Sequence, residues 1–134
     1  MIRWTLLVLG ALLGLAVLFF ASQLAASESG EVVVLRTLDE VGRPHETRLW
    51  VVDRDGRPWI RAGNAGSGWF VRLQANPAVE VVRGGETLRV RAVPVPEARD
   101  RINDLMNEKY GFADSYICFF LPRERKIPVR IDPR

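Results

Sequence analysis

Cysteine is nearly missing from this chain of 134 residues: Cys118 stands alone, so no internal disulfide can staple the fold, and cysteine usage does not reveal the redox compartment. Histidine is equally scarce. His45 has no second metal-type ligand at a recognisable spacing, which argues against a metal centre and reads as a surface residue flanking a turn. Lysine is rare as well. Seventeen of the nineteen basic residues are arginine, scattered among sixteen acids, so the formal charge of +3 forms no clustered basic face of the kind that tracks nucleic acid. No internal repeat or low-complexity tract divides the chain, and no acidic residue precedes Glu28.

What fills that acid-free stretch is an almost unbroken apolar run from Trp4 to Ala21, long enough to cross a bilayer when the flanking residues up to Leu24 are included. Residues 1–26 therefore read as a membrane anchor, 27–31 as a polar linker and 32–134 as one small domain with a single core. A cleaved signal peptide is the competing reading. The uncleaved anchor is preferred because the run exceeds a typical signal core and Leu24 suits an A-x-A cleavage site poorly. Arg3 lies before the run and Glu28 and Glu31 after it, so the positive-inside rule places the N-terminus in the cytoplasm and the domain outside it. Gly10 and Gly14 make a small-xxx-small pair, common in lipid-facing helices and also able to pack two helices closely.

The domain reads as hairpins. Val32–Thr37 and Glu46–Val52 are strands joined by a turn at Glu40–Pro44. Asp55-Gly56 then pairs Val51 with Ile60 and Trp50 with Arg61, which leaves both faces of the 49–62 hairpin largely apolar and in need of a barrel interior on one side and a cover on the other. Gly84-Gly85 pairs Val81 with Leu88 and Val79 with Val90, and sets Glu80 against Arg89 as a solvated ion pair. Ala98, Ile102, Leu105, Met106 and Tyr110 follow helical spacing up to Gly111. Residues 113–121 fit either a buried strand or a short helix, and Lys126–Ile131 alternates as a last strand that Pro128 would confine to an edge. Six strands and two or three helices, with connections too short for parallel crossovers, make a mainly β (α+β) fold: a six-stranded split β-barrel preceded by one transmembrane helix.

Between strand and strand lies Arg61-Ala-Gly-Asn-Ala-Gly-Ser-Gly-Trp-Phe-Val-Arg-Leu-Gln-Ala-Asn-Pro-Ala-Val79. Gly63, Gly66 and Gly68 permit tight or left-handed backbone, Ser67 is a candidate N-cap for a helix over Gly68–Ala75, and the positive end of such a helix suits a phosphate. An ordinary strand-to-helix loop with no ligand is the plainer alternative.

Leu35-Arg-Thr37, Gly42-Arg43, Leu49-Trp-Val-Val52, Gly56 and above all Gly68-Trp-Phe-Val-Arg-Leu-Gln-Ala-Asn-Pro-Ala-Val79 resemble the deazaflavin-dependent nitroreductase branch of the pyridoxamine-phosphate-oxidase-like split barrels, with Lys109-Tyr110-Gly111 and Pro128-Val-Arg-Ile131 as weaker support. The resemblance implies a homodimer that binds FMN or a deazaflavin in a groove near the subunit boundary and transfers a hydride. Two features depart from it. Asp39-Glu-Val-Gly-Arg43 stands where the family usually carries a basic, serine-containing element, and Ala65-Gly-Ser-Gly68 replaces a His-Pro.

Under that resemblance the cofactor-binding residues are Ser67 and the Gly68 and Trp69 amides for a phosphate, Asn64 in the same loop, Arg61 or Arg72 as counter-charge, and Trp69 and Trp50 as walls for the ring. Core filling is the alternative for Trp69, and a solvated charge lying over the sheet the alternative for the two arginines. The function that follows is a membrane-anchored flavin- or deazaflavin-dependent oxidoreductase acting on a small, quinone-like electron acceptor. The alternative is a non-catalytic split-barrel ligand-binding or interaction module at a membrane surface, with the double-sided apolar hairpin as its contact.

Overall fold

A computed structural model describes every residue except Ser29 and Leu121, and the side chains of residues 22–28 and 120 also lie outside the description. The expected linker at 27–31 and the run at 113–121 each include one of these positions.

Helix α1, Ile2–Glu28, continues two residues past the anchor's expected end. Its span Ile2–Ala21 has a mean hydropathy of 2.4 and none of it is buried. By length and composition it suits either a membrane span or a signal sequence.

Seven antiparallel strands follow: β1 (Val32–Leu38), β2 (Pro44–Trp50), β3 (Val52–Arg54), β4 (Arg57–Ala62), β5 (Ala78–Arg83), β6 (Glu86–Pro94) and β7 (Ile127–Pro133). They form one sheet in the order β2-β1-β5-β6-β7-β4-β3. The two ends of that order are neighbours in the chain, separated only by Val51, so the sheet curls until β2 and β3 meet end to end. The split barrel is thus observed with seven strands rather than six, because the strand expected to run unbroken through Val52 divides at Val51.

A side chain takes over where the ladder stops. Val51 N–H donates to the Tyr110 hydroxyl at 2.9 Å, and Val51 C=O accepts from Lys109 Nζ at 2.8 Å and lies 3.0 Å from the same hydroxyl. The hydroxyl also donates to Glu31 C=O at 2.6 Å. Helix α3, Arg99–Tyr110, thereby satisfies backbone groups that the strand division would orphan.

The barrel interior is built by period-two alternation. Val33, Leu35, Val51, Ile60, Ala62, Val79, Val81, Val90, Ala92, Val129 and Ile131 point inward and meet Trp69, Phe70 and Leu73 of helix α2, Gly68–Ala75. Outside, Val52 and Trp59 pack under Ala98, Ile102, Met106 and Tyr110. Trp50 stacks on Tyr110 with ring centroids 4.4 Å apart and planes 8° apart. The hairpin that is apolar on both faces thus has its barrel on one side and α3 on the other.

Two tight turns set the registers. Asp55 and Gly56 both have positive φ (54° and 75°), as do Gly84 and Gly85 (57° and 78°), the geometry of a type I′ hairpin turn. Val81↔Leu88 and Val79↔Val90 pair as the sequence predicts, whereas the Asp55-Gly56 ladder keeps the predicted register only as far as Val52↔Trp59, so the expected Val51–Ile60 and Trp50–Arg61 pairs are not part of it. Glu80 does face Arg89, but its ion pair runs across to Arg36 of β1 at 3.5 Å. Gly63, Gly66 and Gly68 are not among the residues with positive φ.

Residues Phe112–Phe120 form a helix, α4, which settles the strand-or-helix alternative for all but Leu121. Strand β7 is central, between β6 and β4, so Pro128 is not at an edge. Its ladder with β6 ends at Val129↔Pro94, and the Pro128 carbonyl accepts from Val95 N–H at 2.9 Å just beyond. The nitrogen and carbonyl of one strand residue point to the same side. The N–H that Pro128 lacks would therefore face a strand that has already ended, so its absence breaks no ladder bond.

Replacing Tyr110 by Phe keeps the stacked ring and removes the hydroxyl from Val51. We expect a loss of about 1–3 kcal/mol by denaturant unfolding, the cost of an unsatisfied buried backbone donor, and an unchanged stability would show that Val51 does not depend on this contact.

Arg83 and Lys109 hydrogen-bond to Glu31 and hold its carboxyl down from 4.5 to about 2. A folded-state value below the unfolded one contributes stability above pH 4.5 that is lost as pH falls toward 2. The Glu31→Gln chain should unfold more readily than the parent at neutral pH, and thermal melts of the two should converge as pH drops through this window. The half-exposed site keeps the effect small. A gap independent of pH would mean the carboxylate charge is not what the arginine and lysine hold.

Candidate functional site

Helix α2 begins where the glycine-rich loop predicts, with Ser67 at the N-cap, although the Ser67 side chain makes no capping hydrogen bond. Asn64 organises the loop instead: its Oδ1 accepts from Gly66 N–H at 2.8 Å and its carbonyl from Ser67 N–H at 3.3 Å. The amides of Gly68 and Trp69 have no hydrogen-bond partner among the described residues, as befits the first turn of a helix. The Arg72 side chain folds back against Gly68, where a Cβ would stand 3.1 Å from its Nη1. Its Nε donates to the buried Thr37 hydroxyl at 2.8 Å, which fixes the guanidinium beside the helix N-terminus.

These groups border a cleft of about 760 Å³ between α2 and the β1–β2 turn, lined by Gly68, Val71 and Arg72 on one side and Asp39, Glu40 and His45 on the other. Asp39 is largely satisfied from within the turn. Its Oδ1 accepts from the Val41 and Arg43 amides at 3.0 and 2.8 Å, and its Oδ2 meets His45 Nε2 at 3.0 Å. His45, with the two amides, holds this carboxyl below the usual carboxylate range. Glu40 is exposed, with no ion pair among the described residues, and adds a second opposed charge to a cleft that otherwise offers amide donors and a guanidinium. In size and donor set the cleft fits the phosphate-bearing part of a flavin-type cofactor.

The other predicted site residues go elsewhere. Trp69 is 7% exposed and packs edge-to-face on Phe70 in the barrel core, so the core-filling alternative describes it. The Arg61 side chain is 6% exposed, pairs with Asp114, and donates to Asn103 Oδ1 at 3.0 Å. It is neither a free counter-charge for the cleft nor a solvated one. Trp50 and Arg61 share a second, smaller pocket of about 220 Å³ with Arg48, Leu49, Ile117 and Lys126. The seven residues thus divide: Gly68 and Arg72 line the cleft, Asn64 and Ser67 shape the loop that leads to it, Trp69 is core, and Trp50 and Arg61 face the other cavity.

Asp114 and Lys126 were not singled out from the sequence. A signal for Asp114 exists, since one carboxylate inside an apolar run implies a buried partner. Beside Arg61 it is held by Asn107 Nδ2 at 3.3 Å and approached by Cys118 Sγ at 3.6 Å. Burial pushes the Cys118 thiol above its ordinary value. Among the described residues no group of three or more His, Cys, Asp or Glu side chains could hold a metal ion.

The family model for F420H(2)-dependent quinone reductases matches residues 22–133. The chain belongs to this family. The family is one of deazaflavin-dependent oxidoreductases, which favours the deazaflavin F420 over FMN. The matched region begins at Ser22, next to the end of the apolar span at Ala21. No protein with a curated description matches significantly.

Solved structures share the fold. A conserved hypothetical protein, Rv2991, from Mycobacterium tuberculosis is 23% identical, with 85% of this chain and 79% of that one covered and a TM-score of 0.59. An F420-H2 dependent reductase, FDR-A, is 20% identical, with coverages of 75% and 93% and a TM-score of 0.60. A putative pyridoxamine 5'-phosphate oxidase from Listeria innocua is 16% identical, with coverages of 85% and 92% and a TM-score of 0.57.

The Arg61–Asp114 pair is almost wholly buried. Arg61→Met should therefore strip Asp114 of its directly bonded guanidinium and destabilise the domain by about 3–5 kcal/mol in equilibrium unfolding, with part of the loss recovered when Asp114→Leu is added. A loss below about 1 kcal/mol, as for a surface pair, would show that the pair is solvated.

Proposed function

We propose that this protein is a membrane-tethered, F420-dependent reductase of a lipid-soluble, quinone-like acceptor, working as a homodimer. One observation carries the reading: a domain matched by the quinone-reductase family model is joined directly to an exposed apolar helix of membrane-spanning length. An acceptor dissolved in the bilayer is reached most readily by an enzyme held at its surface.

The cleft beside α2 is where the chain would hold the cofactor. The Gly68 and Trp69 amides and the Arg72 guanidinium would meet its anionic groups, with Asn64 and Ser67 shaping the loop that presents those amides. The cofactor, when bound, supplies the hydride, and the protein supplies position, charge and exclusion of water. Exposed Leu38, Val41 and Val71 edge the cleft, an apolar rim that a second copy of the chain would cover. One solved structure of this fold is described as a domain-swapped dimer.

The acids Asp39 and Glu40 favour a second reading, a barrel that binds a different ligand and no longer reduces anything. The two separate in one set of experiments on the full chain in detergent. F420 titrated into a dimer verified by light scattering should bind in the micromolar range, and the reduced cofactor should be consumed when a lipid-soluble quinone is added. Arg72→Met should weaken binding about tenfold and Glu40→Gln should tighten it, since each alters one charge at the cleft. Binding without turnover supports the second reading, and no binding by the parent chain removes the first.

A further inference from the structure

The small pocket beside Trp50 has a composition unlike the cleft. Its described lining is three cations, Arg48, Arg61 and Lys126, and three apolar side chains, Leu49, Trp50 and Ile117, with no carboxylate among these described residues. The charges are not equivalent. Arg61 is matched by Asp114, which is itself held by Asn107. Lys126 is 4% exposed, yet its ammonium has no hydrogen bond or ion pair among the described residues, while its backbone is fixed at both ends by Arg123 C=O and Arg99 Nε.

An unpaired ammonium on a side chain with so little solvent around it is costly. Burial, with Arg61 nearby, pushes Lys126 below the ordinary lysine value, the direction such a cost dictates. Packed positions with no use for a charge are normally apolar or paired. Here the buried trio of Arg61, Asp114 and Lys126 carries one surplus positive charge, and the side chain bearing it borders an open cavity.

We propose that the pocket bordered by Lys126, Arg61 and Trp50 is a binding site for a small aromatic oxyanion, a carboxylate or phenolate on a single ring. The oxyanion supplies the acceptor that the Lys126 ammonium lacks, and the ring lies among Leu49, Trp50 and Ile117. A volume of about 220 Å³ suits a guest of one ring. The site is independent of the F420 reading, because it uses residues outside the α2 cleft and needs no cofactor.

Benzoate is the probe and benzamide its neutral counterpart, each titrated into the full chain in detergent with no cofactor present. The four tryptophans are labelled at the indole nitrogen and followed by NMR, and Trp50 is assigned through Trp50→Phe. The expected result is a saturable shift of the Trp50 resonance with benzoate, at least about tenfold weaker with benzamide and weakened to a similar degree in Lys126→Met. That variant loses an unpartnered buried charge and should melt no lower than the parent. Equal affinity for benzoate and benzamide, no saturable response from Trp50, or full retention of benzoate binding in Lys126→Met overturns the proposal. The comparison of the two probes on the parent chain stands even if the variant does not fold. Failure here leaves F420 binding untouched, and failure of F420 binding leaves this pocket standing.

Discussion

Everything in this domain is arranged around one crossing, where the chain leaves β2, passes through Val51 and enters β3. Here one stretch of chain supplies both ends of the strand order, and at the crossing the ladder stops at Trp50 and resumes at Val52. The backbone groups of Val51 are then buried without strand partners, and burial without a partner is what folded proteins avoid most consistently. Tyr110 and Lys109 provide the partners from the end of α3. That requirement sets the position of α3 against the barrel, orders Glu31 at the domain's entrance, and places the Tyr110 ring where Trp50 stacks on it. The same stack holds Trp50 as a wall of the smaller pocket. Gly30 fits the arrangement: its φ is +80°, and a Cβ there would meet the Tyr110 ring at 2.9 Å.

The chain's many arginines are largely consumed in structure. Arg83 bridges Glu31 and Asp53, Arg57 and Arg130 converge on Asp132, Arg36 reaches Glu46 and Glu80, and Arg61 meets Asp114. A planar guanidinium serves such multiple, oriented contacts better than an ammonium does. Most of these pairs are partly exposed and weak, so they align strands more than they stabilise them. Among the cations outside this pattern are two that border cavities. Arg72 is pinned by a hydroxyl rather than a carboxylate, beside open helix amides, and the buried Lys126 has no partner for its ammonium among the described residues. The cavities worth attention lie at these two residues, and they differ in sign: acids share the cleft with Arg72, whereas the described lining of the Lys126 pocket has none.

The local features were legible because their causes are local. Gly84-Gly85 and Asp55-Gly56 demand positive φ, and that alone fixed two hairpin registers. Helical spacing up to Gly111 marked α3, and the Ser67 to Asn76-Pro77 frame marked α2. The division at Val51, the central place of β7 despite Pro128, and the turn of Glu80 toward Arg36 rather than Arg89 were not legible. Each depends on which distant strand lies alongside, or on where that strand stops.

Sequence alone determined the apolar segment, the alternating strands, their turns and the loop that opens α2, because these follow from spacing, backbone freedom and hydropathy within a few residues. Only the tertiary structure decided that Trp69 fills the core, that Arg61 is spent on Asp114, and that Lys126 borders a cavity with no counter-ion of its own among the described residues. A charged side chain's role is set by its nearest opposite charge and by the solvent left around it. Both are properties of contacts between residues far apart in the chain, 53 positions for Arg61 and Asp114, which no local pattern encodes.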